Sequence, residues 1–219
     1  MTYFKISNMA DLSKTFVREI EIFECSLDIH QAHIGDVGCV VWDAALVLSK
    51  YLERTRKEDL NNKKVLELGA GTGIVSLCCS LAGADVTCTD LIELQPLIEL
   101  NMKVNKAKLK GKFDCCELKW GENLTSFNPV DFLVMSDVIY YEESLMPLIH
   151  TICHLASENT EVIVCYEDRF DGNKPFLKQK FFEILEKEFA MHGIPMEEQD
   201  PVFQSSDIHI VTMKKRKTF

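Results

Sequence analysis

The stretch from Val65 to Gly73 reads Val-Leu-Glu-Leu-Gly-Ala-Gly-Thr-Gly, and it is the part of the chain that best predicts the fold. An apolar run ends in three glycines at alternate positions, and Ile74 then begins a pattern with helical spacing. This order predicts a strand, a glycine-rich turn and the N-terminus of a helix. Glycine allows positive φ angles there and lets a ligand approach the main chain closely.

Two details of this turn distinguish between nucleoside cofactors. The dinucleotide pattern Gly-x-Gly-x-x-Gly is broken because position 74 is Ile. Glu67, two residues before the first glycine, is usual in S-adenosylmethionine enzymes and unusual in NAD enzymes. The turn therefore favours S-adenosylmethionine, and an NAD oxidoreductase is disfavoured.

Composition limits the classes of protein that fit. The chain has 219 residues, 47% of them hydrophobic, which is enough for one α/β domain with a sizeable core. Its net charge of -10 and pI of about 5.1 argue against a nucleic-acid backbone as the main partner. The acidity fits a basic substrate such as a protein lysine, although acidity is also an ordinary source of solubility.

The sequence also predicts where the protein resides. Residues 1–6 lack the apolar core of a signal peptide, and no apolar run approaches the ~18 residues that span a bilayer. Nine cysteines, an odd number without a Cys-x-x-Cys pair, indicate free thiols in a reducing compartment. We expect a cytoplasmic protein. The basic cluster from Lys214 to Lys217 is either a nuclear address, which would add a nuclear pool, or a solvated tail.

Strand and helix patterns alternate along most of the chain, which predicts a mainly parallel sheet with helices on both faces. Residues 16–29 predict two short strands or one bulged strand, 35–38 a turn, 41–52 a helix and 54–64 a polar loop. Two late strands without a helix between them predict an antiparallel hairpin at one edge of the sheet. The predicted strands are 65–68, 85–88, 113–118, 131–135, 161–166 and 208–213, with a less clear one between 194 and 203; the predicted helices are 74–81, 91–105, 144–155 and 175–189.

Ligands of open α/β sheets lie beyond the C-terminal ends of the strands, so residues just after strands are candidates for the site. Asp90, with Leu91 beside it, ends the second core strand about 20 residues after Gly69, the usual separation for a carboxylate that holds ribose hydroxyls. An alternative role for Asp90 is the N-cap of the following helix, and the two roles are compatible.

Trp120 follows the third core strand within Leu-Lys-Trp-Gly at 118–121. Its indole either stacks on an adenine face or packs into the core, and the sequence does not separate these roles.

The fourth core strand is followed by Ser136-Asp137 and then by Tyr140-Tyr141. An acid at this position can hold an ammonium, and tyrosines can wall off a narrow apolar channel. The structural alternative is a helix-capping Asp with packed tyrosines. The chain lacks the Pro-Pro-Tyr motif that enzymes methylating amide or base nitrogens often carry here, which disfavours that chemistry.

Trp42-Asp43 opens the early helix, either as a hydrophobic staple and cap or as a lid over the methionine end of the cofactor. His150 and His154 are four residues apart on a predicted helix but have no third ligand nearby in sequence, so we predict no metal site.

Together these segments resemble the seven-strand S-adenosylmethionine methyltransferases, and among them the small protein-lysine methyltransferase family. The likeness covers roughly residues 16–215. The matching segments are Gly-Cys-Val-Val-Trp-Asp-Ala-Ala at 38–45, Leu-Glu-Leu-Gly at 66–69, the stretch 101–105, Leu-Lys-Trp-Gly at 118–121, Asp-Val-Ile-Tyr-Tyr-Glu-Glu-Ser-Leu at 137–145 and Cys-Tyr-Glu at 165–167.

The resemblance implies a single domain with the class I, Rossmann-like methyltransferase fold. It would comprise N-terminal strands and a lid helix in 16–62, the core sheet in 63–214 and a basic tail in 215–219. The Asp-x-x-Y element of Asp137, Tyr140 and Tyr141 would lie where cofactor and lysine meet. Asp168-Arg169 departs from the expected Gln-Arg pair. The residues implied in the cofactor pocket are Trp42, Glu67, Gly69, Gly71, Gly73, Asp90, Leu91, Trp120 and Ser136.

The implied reaction converts S-adenosyl-L-methionine to S-adenosyl-L-homocysteine and methylates a protein lysine. The resemblance points to a lysine of valosin-containing protein, a hexameric AAA ATPase, or of a similar chaperone-type ATPase. We expect a monomer, because no extended apolar stripe lies outside the predicted core. A different protein, or a small molecule, is the alternative substrate. A non-catalytic interaction module is disfavoured by the intact glycine turn together with Asp90, Trp120 and Asp137.

Overall fold

A computed structural model describes residues 12–33 and 37–217. The prediction that residues 1–6 lack a signal peptide lies outside the described residues, and so does the first half of the predicted turn at 35–38, namely 35 and 36. Short 3-10 turns occupy Leu12–Lys14, Val37–Cys39, Lys106–Lys108, Leu124–Ser126 and Met196–Glu198. The strands are β1 Thr15–Ile22, β2 Cys25–Ala32, β3 Lys64–Leu68, β4 Asp85–Asp90, β5 Phe113–Glu117, β6 Phe132–Ser136, β7 Glu161–Glu167, β8 Phe189–Gly193 and β9 Ile208–Lys215; the helices are α1 Asp43–Thr55, α2 Lys57–Leu60, α3 Ile74–Leu81, α4 Gln95–Asn105, α5 Glu142–Leu155 and α6 Lys174–Leu185.

Seven strands form one sheet in the order β5-β4-β3-β6-β7-β9-β8. The first five in this order pair in parallel, whereas β9 runs antiparallel to both β7 and β8. The prediction of a mainly parallel sheet with an antiparallel edge hairpin is confirmed.

Alternate residues of the central strands face two separate cores. On one face, Val65 packs with α1 and α3; on the other, Leu66 packs with α5 and α6. Strands covered on both sides in this way are mostly apolar, and from Val65 to Leu68 only Glu67 interrupts the hydrophobic run before the glycine turn.

The order of strands reverses between β3 and β6, which pair directly. From β3 the chain builds outward to β4 and β5, then returns to β6 and builds the other way. Helices on opposite sides leave a crevice at such a switch point, beyond the C-terminal ends of the strands. The structure therefore places the glycine turn and the segment after β6 next to each other.

The N-terminal segment forms an antiparallel hairpin of β1 and β2 outside the main sheet. This agrees with the two-strand alternative of the prediction. Phe23 and Glu24, both with positive φ, make the turn. Strand β2 lies against α4, where the Asn101 amide bonds the backbone N–H and C=O of His30, and Asn105 does the same for Asp28.

Several predicted boundaries are wrong for identifiable reasons. Helix α6 ends at Leu185, and Phe189 begins β8, so the uncertain strand lies before residue 194 and not between 194 and 203. Strand β8 is an edge strand with mostly exposed side chains and thus has little alternation. The polar stretch after α1 contains the short helix α2, and α4 begins at Gln95, four residues later than predicted, with a proline in its first turn.

The predicted basic tail is partly structured. Strand β9 extends through Lys215, whose ammonium donates to the carbonyls of Cys153 and Ala156. All nine cysteines are free thiols, five of them buried. Among residues 12–33 and 37–217, none of the helices is both long and apolar enough to cross a membrane.

Candidate active site

Two adjoining cavities lie at the C-terminal ends of β3, β4 and β6, with volumes of about 240 and 270 Å³. They share five lining residues, Gly69, Asp90, Leu91, Tyr140 and Tyr141, and so form two lobes of one cleft. Together the lobes reach the size of roughly 300–1,000 Å³ that is usual for small-molecule sites.

The glycine turn adopts the left-handed backbone that the sequence predicts. Gly69, Gly71 and Gly73 have φ of 64°, 57° and 79°. A Cβ on Gly71 would lie 2.8 Å from the carbonyl oxygen of Gly38, because the segment before α1 packs directly on the turn. Gly69 and Gly71 line the cleft, whereas Gly73 is the N-cap of α3 and does not.

Asp90 is fixed at the floor of the cleft by two backbone bonds. Its Oδ2 accepts from the N–H of Gly71 at 2.7 Å, and its Oδ1 accepts from the N–H of Leu91 at 2.7 Å. The N-cap of α4 is Leu94, so the helix-capping role for Asp90 is wrong. Its position at the end of the strand next to the glycine turn suits a carboxylate that receives ribose hydroxyls.

Glu67 does not line the cleft but lies fully buried beneath the glycine turn. Its Oε2 accepts from the N–H and the hydroxyl of Ser76, at 2.8 and 2.5 Å, and thereby ties β3 to the first turns of α3. Burial raises the pKa of Glu67 to about 8, although the Ser76 bonds act in the opposite direction.

Trp120 walls the second lobe together with Leu118 and Lys119. The indole is also partly buried against the core, and its Cζ2 lies 3.0 Å from the position that a Cβ on Gly69 would take. Trp120 therefore packs against the core and also lines the cleft, and its stacking on an adenine face stays a prediction.

Trp42 lines the first lobe, which fits the predicted lid. It is the N-cap residue of α1 but makes no side-chain capping bond; its Nε1 instead donates to the carbonyl of Val37 at 2.8 Å.

Asp137 and Ser136 line the first lobe at the end of β6. Asp137 has φ of 54°, an uncommon conformation that Asp tolerates better than most residues, and its N–H donates to the carbonyl of Cys165. Its Oδ2 lies 2.5 Å from Nη2 of Arg169. Helix α5 begins at Glu142 with Tyr141 as its N-cap, so Asp137 is not a helix cap.

Tyr140 and Tyr141 line both lobes, with ring centroids 4.5 Å apart and planes inclined at 61°. Tyr141 is 47% exposed, which places it at the rim of the cleft.

Arg169 and Lys174 also line the first lobe, and sequence reasoning did not assign them to the site. Arg169 comes just after β7, so the rule that found Asp90 and Asp137 at strand ends could have found it. Asn101 was also given no role from the sequence, whereas in the structure its amide donates to the carbonyl of Thr72 in the glycine turn at 3.0 Å.

These residues fit S-adenosylmethionine. The glycine turn brings bare backbone to the cleft, Asp90 presents a fixed carboxylate, and Trp120 and Leu91 offer apolar walls for an adenine. Within the described residues no three His, Cys, Asp or Glu side chains are grouped so as to hold a metal ion. A seven-stranded sheet of this order with such a cleft at its switch point defines a class I S-adenosylmethionine-dependent methyltransferase.

The family model described as lysine methyltransferase matches residues 23–187. The chain belongs to this lysine methyltransferase family. Protein N-lysine methyltransferase METTL21A of Mus musculus is 37% identical over 183 residues, which are 82% of this chain and 78% of that protein. Protein-lysine methyltransferase METTL21E of Bos taurus is 37% identical over 170 residues, which are 73% of this chain and 58% of that protein.

A solved structure shares the fold. The T. thermophilus 16S rRNA N2 G1207 methyltransferase RsmC, in complex with AdoMet and guanosine, aligns with a TM-score of 0.63 at 17% identity. The alignment covers 93% of this chain and 51% of that one. The protein is thus an S-adenosylmethionine-dependent protein-lysine N-methyltransferase.

Proposed function

We propose that the substrate is a lysine of valosin-containing protein, or of a similar chaperone-type AAA ATPase, and that the enzyme acts on it as a monomer in the cytoplasm. The support for this substrate is the likeness of the segments that build the cleft, because 38–45, 118–121 and 137–145 supply Trp42, Trp120 and Asp137. Another protein or a small molecule is the alternative substrate.

The observation that carries the assignment of a protein substrate is the open rim beside Asp137. Tyr141 is 47% exposed, and Phe170, next to the cavity residue Arg169, is 84% exposed. Exposed aromatic side chains at the edge of a site are suited to contact with another protein surface. A site for a free small molecule would instead enclose most of its ligand.

The acceptor lysine must be aligned and neutral before it can react. When bound, S-adenosylmethionine supplies a methyl group on a positively charged sulfur, so the lysine nitrogen forms the N–C bond while the electron pair of the S–C bond goes to sulfur. A free lysine has a pKa of about 10.4, and presenting it neutral at pH 7.4 costs about 4 kcal/mol. Tyr140 and Tyr141 lower this cost by desolvating the amine, because burial disfavours an ammonium.

Asp137 serves in docking and orientation. Its carboxylate is at the first lobe and is already hydrogen-bonded to Arg169, so it is not a free base. The lysine that receives the methyl group can donate an N–H to the Asp137 carboxylate, and this bond would point the nitrogen lone pair toward the methyl group.

The first prediction concerns Asp137→Ala with labelled S-adenosylmethionine and recombinant valosin-containing protein. We expect wild type to label one lysine, and Asp137→Ala to lose at least ~100-fold in rate because orientation is lost. The affinity for S-adenosylhomocysteine, measured by calorimetry, should stay within about threefold of wild type. Asp114→Ala, an exposed Asp on β5, is the matched control and should behave as wild type.

Two outcomes would change the assignment. Equal losses of rate and cofactor affinity in Asp137→Ala would make Asp137 a cofactor-binding residue. Wild type that binds the cofactor but leaves valosin-containing protein unlabelled would overturn the substrate proposal, and labelling of a cell extract would then identify the acceptor.

A further inference from the structure

The guanidinium of Arg169 lies between two carboxylates and an indole ring at the inner wall of the first lobe. Its Nη2 is 2.5 Å from Oδ2 of Asp137 and 3.0 Å from Oε2 of Glu167. Its Cζ lies 5.1 Å from the ring centroid of Trp42. The three charged side chains are 24%, 11% and 36% exposed for Arg169, Asp137 and Glu167, so solvent screens their interactions only in part.

Neighbouring charges are paired elsewhere. Lys174 bonds Asp171 at 2.7 Å, and Asp168 contacts both Lys178 and His209. The titratable and charged groups around Arg169 come from the ends of β6 and β7, its own loop, α6 and the rim. They are Asp137, Glu167, Asp171, Lys174, Lys178, Tyr140, Tyr141 and Tyr166. At the corner of the first lobe where lysine is expected, Asp137 thus lines the wall, and among the described residues Arg169 pairs with both Asp137 and Glu167.

The balance between the two carboxylates and the guanidinium affects the pKa of the substrate lysine that binds beside them. An opposite charge within about 4–6 Å raises the pKa of an amine, typically by 1–3 units. With Asp137 and Glu167 uncompensated, the corner would hold the substrate as an ammonium, which has no lone pair to attack with. With Arg169 in place, its positive charge offsets the two carboxylates, and the neutral indole of Trp42 adds no charge. The pKa of the substrate amine is then raised less.

We propose that Arg169 is a positioning residue that compensates Asp137 and Glu167, so that the substrate lysine releases its proton to water and reacts as a neutral amine. Asp137 then accepts an N–H of the amine without stabilising an ammonium. This inference rests on lysine methylation at this cleft. Although burial opposes the charge of Arg169, its bonds with Asp137 hold its pKa above the ordinary value, so the compensation persists across the pH range of an assay.

The test is the pH dependence of single-turnover methyl transfer from about pH 6 to 10, which reports groups in the enzyme–substrate complex. Arg169→Gln should move the acidic limb of the profile to higher pH by about one unit. At pH values below the limb the variant should then be about tenfold slower than wild type, and at high pH the two rates should be equal. Arg169→Lys keeps a positive charge and should leave the limb near its wild-type position.

Glu167→Gln provides the opposite test. Removing one carboxylate should move the limb to lower pH, by less than one unit because Glu167 is partly exposed. The double variant Glu167→Gln, Arg169→Gln should return toward the wild-type limb, which a purely structural role for Arg169 would not produce. Calorimetry with S-adenosylhomocysteine should give similar affinities for all variants.

The proposal is overturned if Arg169→Gln lowers the rate equally at every pH, or if Glu167→Gln leaves the limb unmoved. Should Arg169→Gln fail to fold, Glu167→Gln alone decides the matter. Valosin-containing protein is the substrate in these assays, and its failure to be labelled by wild type would count against the substrate proposal only. The protein labelled in a cell extract would then replace it in the same series.

Discussion

Glu67 carries a carboxylate that is fully buried beneath the glycine turn, with only one of its oxygens bonded among the described residues. Its pKa is raised from an ordinary 4.5 to about 8, chiefly by burial. Between these values the folded protein retains a proton that the unfolded chain has released. Stability from this group is therefore present at low pH and is lost as the pH rises from 4.5 toward 8.

Glu67→Gln tests this linkage, because glutamine resembles the protonated acid in shape and stays neutral. Wild type should lose on the order of 3 kcal/mol of unfolding free energy between about pH 5 and 8 relative to the variant. Urea denaturation at the two pH values measures the difference. Glu158→Gln, at an exposed position, is the control and should keep the wild-type dependence of unfolding free energy on pH. The same dependence in wild type and Glu67→Gln would contradict the raised pKa of Glu67.

Helix α4 covers one edge of strand β2 with side-chain hydrogen bonds. Asn101 and Asn105 are both fully buried and one helical turn apart, and each amide bonds both the N–H and the C=O of one residue of β2. These side chains take the place of a further strand. Because Asn101 also bonds Thr72, the same helix connects the N-terminal hairpin to the glycine turn.

Asn101→Ala should lower the unfolding free energy by about 2–4 kcal/mol, since it leaves partly buried backbone groups of His30 and the buried carbonyl of Thr72 without their partner. It should also weaken binding of S-adenosylhomocysteine, because the Thr72 carbonyl in the glycine turn loses the hydrogen bond that holds it in place. Urea unfolding and calorimetry measure the two effects. The exposed Asn159→Ala is the control, and a change within about 0.5 kcal/mol for Asn101→Ala would show that the bonds contribute little.

At the scale of the whole molecule, the cofactor cleft is built from parts of the chain that meet only after folding. The lid at Trp42, the turn after β3, Asp90 after β4 and Asp137 after β6 come from separate elements. Ligand that binds only this assembled cleft stabilises the folded state as a whole.

S-adenosylhomocysteine at about 100 times its dissociation constant should add about 2.7 kcal/mol, which corresponds to roughly 5–10 °C in melting temperature for a chain of this size. Asp90→Ala should lose most of this shift because it removes the carboxylate that the turn holds in place. Asp137→Ala should keep it. Calorimetric melting distinguishes these cases, and an undiminished shift in Asp90→Ala would exclude Asp90 from cofactor binding.

The fold and the position of the cleft could be predicted because they depend on local patterns. Parallel strands end at one edge of a sheet, so Asp90 and Asp137 could be placed together from spacing alone. The pairing of Arg169 with Asp137 could not, because contacts between the ends of different strands leave no periodic signal. Glu67 shows the same limit: the sequence predicts a cofactor contact, and its position beneath the turn depends on the bond to Ser76.

Strand β3 pairs with β4, which directly follows it along the chain, and with β6, which comes after β5. During synthesis on the ribosome, one edge of this apolar strand therefore stays uncovered until residues 132–136 have emerged. An uncovered edge of this kind readily recruits strands from other chains. Because the arrival of β6 both covers that edge and opens the crevice, the step that protects this edge of the nascent chain from aggregation is also the step that begins its binding site.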